Sequence, residues 1–161
     1  MNTQDRGRQI LIQGLLLVMA GLLWGIVVPH TPHPRLALGA HIQFVSGGVL
    51  FIIMAAILLK LPNNVGPKAA TTTLLAAWLN WPMTLSEVAN AWWGTSKMLP
   101  IAAGQAGAVG GAAWQELVVT LTHTVAGLAL VIAWGLLIAG FVRRPLASET
   151  SGTVSRERHA A

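Results

Sequence analysis

One stretch of the chain admits only one kind of environment. Leu38 to Leu61, LGAHIQFVSGGVLFIIMAAILLKL, holds Lys60 as its one charged residue and is long enough to cross a hydrocarbon layer of about 30 Å as an α-helix. Hydrocarbon offers no water to a peptide group, so the segment must satisfy its own backbone and reads as helix. It also carries His41 near its start. An ionisable side chain at that depth usually faces a bundle interior, a cavity or a cofactor. Imidazole is moreover a common metal ligand, haem iron included. The bland alternative is an interfacial histidine bonded to a nearby carbonyl, and His41 alone does not separate the two.

Composition supports the membrane reading. The chain is 54% hydrophobic and 9% charged, against about a quarter charged in soluble domains. A formal charge of +5 could suggest nucleic acid, but the basic residues are scattered between apolar runs and form no patch. Cysteine is absent, which excludes disulfides, thiolate nucleophiles and cysteine-ligated iron–sulfur or zinc centres. Any metal must rest on His, Glu or a cofactor.

The pattern predicts an all-α, four-transmembrane-helix bundle of spans 10–28, 38–61, 70–93 and 112–141, after a cytoplasmic lead (1–9) and before a disordered cytoplasmic tail (142–161). The first run is read as an anchor rather than a cleaved leader, because no small-x-small site follows it. Gly14, Gly21 and Gly25 leave one of its sides bare for a close neighbour. Pro29, Pro32 and Pro34 break the chain before helix 2, and Gly47 and Gly48 thin that helix for a neighbour or a flat ligand. Helix 3 is unusually polar, with Asn80, Thr84, Ser86, Glu87 and Asn90, and Pro82 is expected to kink it. Residues 94–111 form a glycine- and alanine-rich connector, expected to be flexible. Of the ten Lys and Arg residues, eight fall in the amino-terminal lead, the 2–3 loop and the tail, against Arg35 and Lys97 on the other side. Both termini are therefore expected in the cytoplasm, with the protein multi-pass in a bacterial inner membrane.

This topology places polar groups of three helices at similar depth: His41, Glu87 with Asn90, and Glu116. Asn80 and Glu87 lie seven residues apart, as do Glu116 and His123, so each pair shares a helix face. A carboxyl group taken out of water holds its proton more tightly, so Glu87 or Glu116 could act as an acid; the competing reading is that they pair with Lys97 or His123 and lock helices together. Trp92 and Trp93 belong to an interfacial belt, whereas Trp78 and Trp81 could wall an aromatic pocket.

The strings Gly39-Ala40-His41, Trp78-Leu79-Asn80-Trp81, Trp93-Gly94-Thr95-Ser96-Lys97-Met98-Leu99-Pro100-Ile101-Ala102 and Trp114-Gln115-Glu116 resemble hydroxylaminobenzene mutase over roughly residues 10–141. That family is distantly similar to styrene oxide isomerase, a four-helix membrane enzyme holding haem b on a helix 2 histidine and assembling as a trimer. The resemblance implies haem b on His41, beside Gly47 and Gly48, and a homo-oligomer. It matches Asn80 to an asparagine that follows an aromatic residue in helix 3 of the isomerase. The chain departs from the isomerase in having no tyrosine and in carrying Gly47 where a pocket asparagine is expected. The implied reaction is the redox-neutral rearrangement of hydroxylaminobenzene to 2-aminophenol, with ferric haem as Lewis acid. The catalytic residues expected are Glu87 and Glu116, from their placement, and Asn80, from the resemblance, in a substrate pocket of Trp78, Trp81, Asn90, Lys97, Gln115 and His123. Two other classes compete. A b-type electron carrier would need His123 as a second axial ligand; a proton-coupled transporter of the small four-helix type carries its acid in helix 1, which here has none.

Overall fold

The computed structural model describes residues 2–61 and 64–142, and every regular element among them is helical. The long helices are α1 (Thr3–Val27), α2 (Pro34–Lys60), α3 (Pro67–Trp93) and α5 (Ala113–Val142), with a short α4 (Pro100–Gln105) between the last two. The expected tail at 142–161 lies, beyond its first residue, outside the described residues.

The helix ends differ from the hydropathy runs, for local reasons. Helix α1 starts well before Ile10 because Asn2 caps it: its side chain accepts the Asp5 N–H at 2.7 Å, and the Asp5 carboxylate accepts the Asn2 N–H at 3.2 Å. This reciprocal box makes the polar lead helical. Prolines stand in the first turn of α2, α3 and α4, where a missing N–H costs nothing. Helix α3 ends at Gly94, whose φ of +63° is the left-handed cap that glycine adopts freely. The 94–111 connector is more ordered than its composition suggests, since it contains α4 and is pinned by a side chain described below.

Three helices, Thr3–His30 (α1 with the turn after it), Pro34–Lys60 and Ala113–Val142, are long and apolar enough to cross a membrane. Helix α3 has the length, with 27 residues, but its buried Thr73, Asn80, Thr84, Ser86, Glu87 and Asn90 lower its hydropathy.

Buried positions repeat with alternating steps of three and four on each long helix. In α2 they include Ala37, Ala40, Phe44, Gly47, Phe51, Met54 and Leu58; in α3, Thr73, Ala77, Asn80, Thr84, Glu87 and Ala91; in α5, Glu116, Val119, His123, Ala126, Ala133, Leu137 and Gly140. That spacing is the seam of a left-handed bundle. The interior is divided along its length. Towards Lys60 and Pro67 it is apolar, around Ile10, Leu17, Phe51, Met54, Leu74 and Leu137; towards Pro34, Trp93 and Ala113 it carries the polar side chains.

The tightest seam joins α1 and α2. Gly7, Gly14 and Gly21, seven apart, all face α2: a methyl group at Gly14 would lie 2.7 Å from the Gly48 carbonyl oxygen, and one at Gly48 would lie 2.6 Å from that of Gly14. Backbones this close leave no room for a side chain. Gly14→Ala is therefore expected to destabilise the protein by about 1–3 kcal/mol, visible as a lower melting temperature in detergent. Gly127→Ala, at a position with open space on α5, should leave it unchanged, and an equal response of both variants would refute the close-packed seam.

Candidate functional site

The polar end of the bundle divides into three clusters. In the first, α3 and α5 bring Glu87 and His123 together, 1% and 6% exposed. Glu87 Oε1 lies 3.2 Å from His123 Nε2, and His123 Nδ1 lies 2.7 Å from the Val119 carbonyl. A carbonyl only accepts, so Nδ1 carries a hydrogen and the neutral ring turns its one lone pair, at Nε2, towards Glu87. The Gln43 amide nitrogen, from α2, stands 3.4 Å from the same Nε2. Three polar atoms here find no hydrogen-bond partner: Glu87 Oε2, Gln43 Oε1 and the Asn80 amide nitrogen. Buried polar groups are rarely left unmatched, and these three atoms lie close together on the facing sides of two helices. The α2 surface opposite is bare: a methyl group on Gly39 would meet Glu87 Oε2 at 3.1 Å, and one on Gly47 would meet the Asn80 amide nitrogen at 3.1 Å. Gly39, Gln43 and Gly47 are four apart and share the face of α2 that looks at α3. Gly47 thus makes room for Asn80, whereas Gly48 is filled by α1.

The second cluster holds Glu116, and it separates the two acids. Glu116 Oε1 accepts the N–H of Ser96 at 2.9 Å and of Gly111 at 3.1 Å, while Oε2 accepts that of Lys97 at 3.0 Å. Both oxygens are saturated by main-chain donors from the two ends of the connector, a pattern that suits a carboxylate rather than a proton donor. Gln115 accepts the Ala112 N–H at 2.7 Å, Trp93 and Trp114 meet edge to face at 5.0 Å, and Asn90 accepts both the N–H and the hydroxyl of Thr95 at 2.7 Å. The Lys97 side chain is exposed. Asn90, Lys97, Gln115 and Glu116 therefore surround the connector.

The third is His41, which points to α1. Its Nδ1 lies 2.8 Å from the Gly21 carbonyl and its ring lies where a methyl group on Gly25 would stand. Here too the carbonyl fixes the hydrogen on Nδ1, leaving the Nε2 lone pair for a ligand bond. The ring is partly exposed. Two residues beyond Gly39, His41 faces roughly the opposite side of α2 from Gly39, Gln43 and Gly47, at about 100° per residue. The structure thus does not unite His41 with Glu87 in one chain. Nor does it bring Trp78 inward: that ring is 56% exposed, while Trp81 packs edge-on to Phe44 and donates to Gln13 Oε1 at 2.5 Å. No group of three or more His, Asp or Glu gathers among the described residues, so a metal here would depend on a cofactor's own ligands.

Sequence reasoning missed Gln43. The available signal was an amide one turn from Gly39 and one turn from Gly47, on the same face of an otherwise apolar span.

The chain matches the styrene oxide isomerase family over residues 6–142. It is 29% identical over 135 residues to hydroxylaminobenzene mutase HabB of Ectopseudomonas oleovorans, covering 80% of each chain. To hydroxylaminobenzene mutase HabA of the same organism it is 31% identical over 94 residues, 57% of this chain and 68% of that one. No solved structure matches it. A helical membrane chain with a carbonyl-oriented histidine on α2 and a buried acid–imidazole pair, matched along most of its length to these sequences, belongs to the styrene oxide isomerase family.

Proposed function

We propose that this protein is a membrane isomerase that rearranges hydroxylaminobenzene to 2-aminophenol with Glu87 as its acid and base. The observation that carries the reading is the enclosed Glu87–His123 pair, whose second carboxyl oxygen lacks a partner beside equally unmatched Asn80 and Gln43 atoms. The named activity of the two relatives supports the substrate.

The reaction moves one oxygen and leaves the overall oxidation state unchanged. Its difficult step is heterolysis of the N–O bond, in which oxygen departs with the electron pair. A proton from Glu87 Oε2 supports that departure, and the Asn80 amide donates to the oxygen so that it stays beside the ring. As the oxygen bonds the ortho carbon the carboxylate recovers its proton. The hydrogen on that carbon is then carried to nitrogen, so the amine gains the hydrogen that the ring loses. Apolar walls keep solvent from competing at the para position. Glu116 acts at a distance, by fastening the connector over this end of the bundle.

Haem b fits His41, whose Nδ1 faces the Gly21 carbonyl and whose Nε2 is left to a partly open surface: His41 would hold the iron, and Gly25 accommodates the imidazole. When bound, the haem would supply Lewis acidity towards oxygen. The distance round α2 from His41 to Glu87 supports an oligomer, the trimer of the resemblance, in which a neighbouring copy covers the His41 face. His123 has both ring nitrogens engaged by protein atoms, which disfavours the bis-histidine electron carrier. With α3 taken as a fourth span, the count of basic residues supports both termini in the cytoplasm.

Three outcomes test the reading. In oxygen-18 water, purified protein should convert hydroxylaminobenzene to unlabelled 2-aminophenol, and Glu87→Gln should lower turnover on the order of a hundredfold while changing substrate affinity little; full labelling would refute the held oxygen, and no conversion would refute the assignment. Purified protein should show a Soret band and the mass of three copies, with the band lost in His41→Ala and kept in His30→Ala; active, colourless protein would end the haem proposal. A carboxy-terminal reporter active only outside the cytoplasm should stay silent, and strong activity there would reverse the orientation.

A further inference from the structure

The geometry points to Gln43 as a positioning residue that holds the His123 lone pair and thereby keeps the working proton on Glu87. The proposal builds on the acid role given above to Glu87, but its test does not depend on turnover.

Its basis is a conflict at one atom. His123 Nε2 has two neighbours, Glu87 Oε1 at 3.2 Å and the Gln43 amide nitrogen at 3.4 Å. With Nδ1–H committed to the Val119 carbonyl, the neutral ring offers one lone pair at Nε2 and can serve one donor well. If Glu87 is the donor, its proton lies on Oε1, directed away from the unmatched oxygen, and can pass to the ring to give an imidazolium–carboxylate pair. If Gln43 is the donor, the lone pair is occupied and the carboxyl proton is left to Oε2, the oxygen without a partner.

The two forms have different consequences. The ion pair separates charge between residues 1% and 6% exposed, inside a membrane bundle, where desolvating two ions is costly. It also sets the Gln43 NH2 against an N–H, unless the amide turns over to present Oε1. The neutral form keeps the amide as it stands, with Gln43 Oε1 and Glu87 Oε2 both unmatched and on neighbouring turns of facing helices. Those atoms are an acceptor and, with the carboxyl hydrogen on Oε2, a donor, matching the N–H and the oxygen of an arylhydroxylamine. Gln43 thus sets where the proton is and also contributes the acceptor. The transfer it prevents is simple: the Glu87 O–H bond breaks, an Nε2–H bond forms, and no other reactant takes part. No Lys or Arg pairs with either residue among the described residues, and Glu116, the other acid on α5, is occupied by the connector.

Infrared spectroscopy of the purified full chain, without substrate, decides it. Wild type should show the C=O band of a protonated carboxyl, shifted in heavy water and absent in Glu87→Gln. Gln43→Leu should lose most of that band, because the lone pair becomes free to take the proton. The double variant Gln43→Leu/His123→Leu should regain it, because no acceptor remains; mere disruption of packing would not be reversed by a second substitution. In activity assays Gln43→Leu should cut turnover on the order of tenfold, more than it raises KM. An undiminished band in Gln43→Leu, a double variant that fails to regain it, or no carboxyl band in wild type would each overturn the proposal. The expected bands in a protein that does not convert hydroxylaminobenzene would uphold the proton lock and refute the functional reading alone.

Discussion

The contact between α1 and α2 at Gly14 and Gly48 sets the geometry on which the rest depends. Because the two backbones meet there without side chains, the rotation of α2 about its axis is fixed. That rotation decides which residues look where: Gly39, Gln43 and Gly47 towards α3, His41 towards α1. A turn of α2 by half its circumference would bury His41 against Glu87 and expose Gln43. The division between a prospective iron ligand on one side and an acid pair on the other thus follows from a glycine contact about two turns along α2 from His41.

The two buried carboxyl groups show how environment, not residue type, shapes what a side chain can offer. Glu116 and Glu87 are both nearly inaccessible, at 4% and 1%. Glu116 meets three peptide N–H groups that complete its coordination and make it a clasp for the 94–111 connector. Glu87 meets one imidazole and keeps an oxygen in reserve. A saturated carboxylate has little left to offer a reaction, whereas a half-satisfied one is costly to maintain and informative where it occurs.

The sequence revealed the bundle because hydrocarbon imposes length, apolarity and helix at once. The seven-residue intervals Asn80–Glu87 and Glu116–His123 were legible as shared faces, and the buried seams of α3 and α5 follow them. Helix ends were less legible: the start of α1 depends on a side-chain box at Asn2 and Asp5, which hydropathy does not register. The separation of His41 from Glu87 could not be read, since depth follows from counting residues but the phase of one helix against another requires tertiary contact. Glu116 was hidden for a related reason, as its partners are peptide groups that every residue possesses. Gln43 escaped notice because an uncharged amide carries no titration signal, although its spacing to the flanking glycines was visible. Trp78 and Trp81 are nearly equivalent in sequence, and only packing sends one outward and the other onto Phe44.

The seam through which α5 joins the bundle runs chiefly along α3, and it bears on biogenesis. The α1–α2 hairpin is joined by a short turn and closes early, because contacts near in sequence cost little loop entropy. Helix α5 arrives last from the ribosome and supplies His123. Until it docks, Glu87 has no imidazole beside it and the connector has no carboxylate to gather its N–H groups. The Glu87–His123 pair is therefore assembled only once α5 has docked, so a nascent chain halted before α5 would hold a buried glutamate without its imidazole.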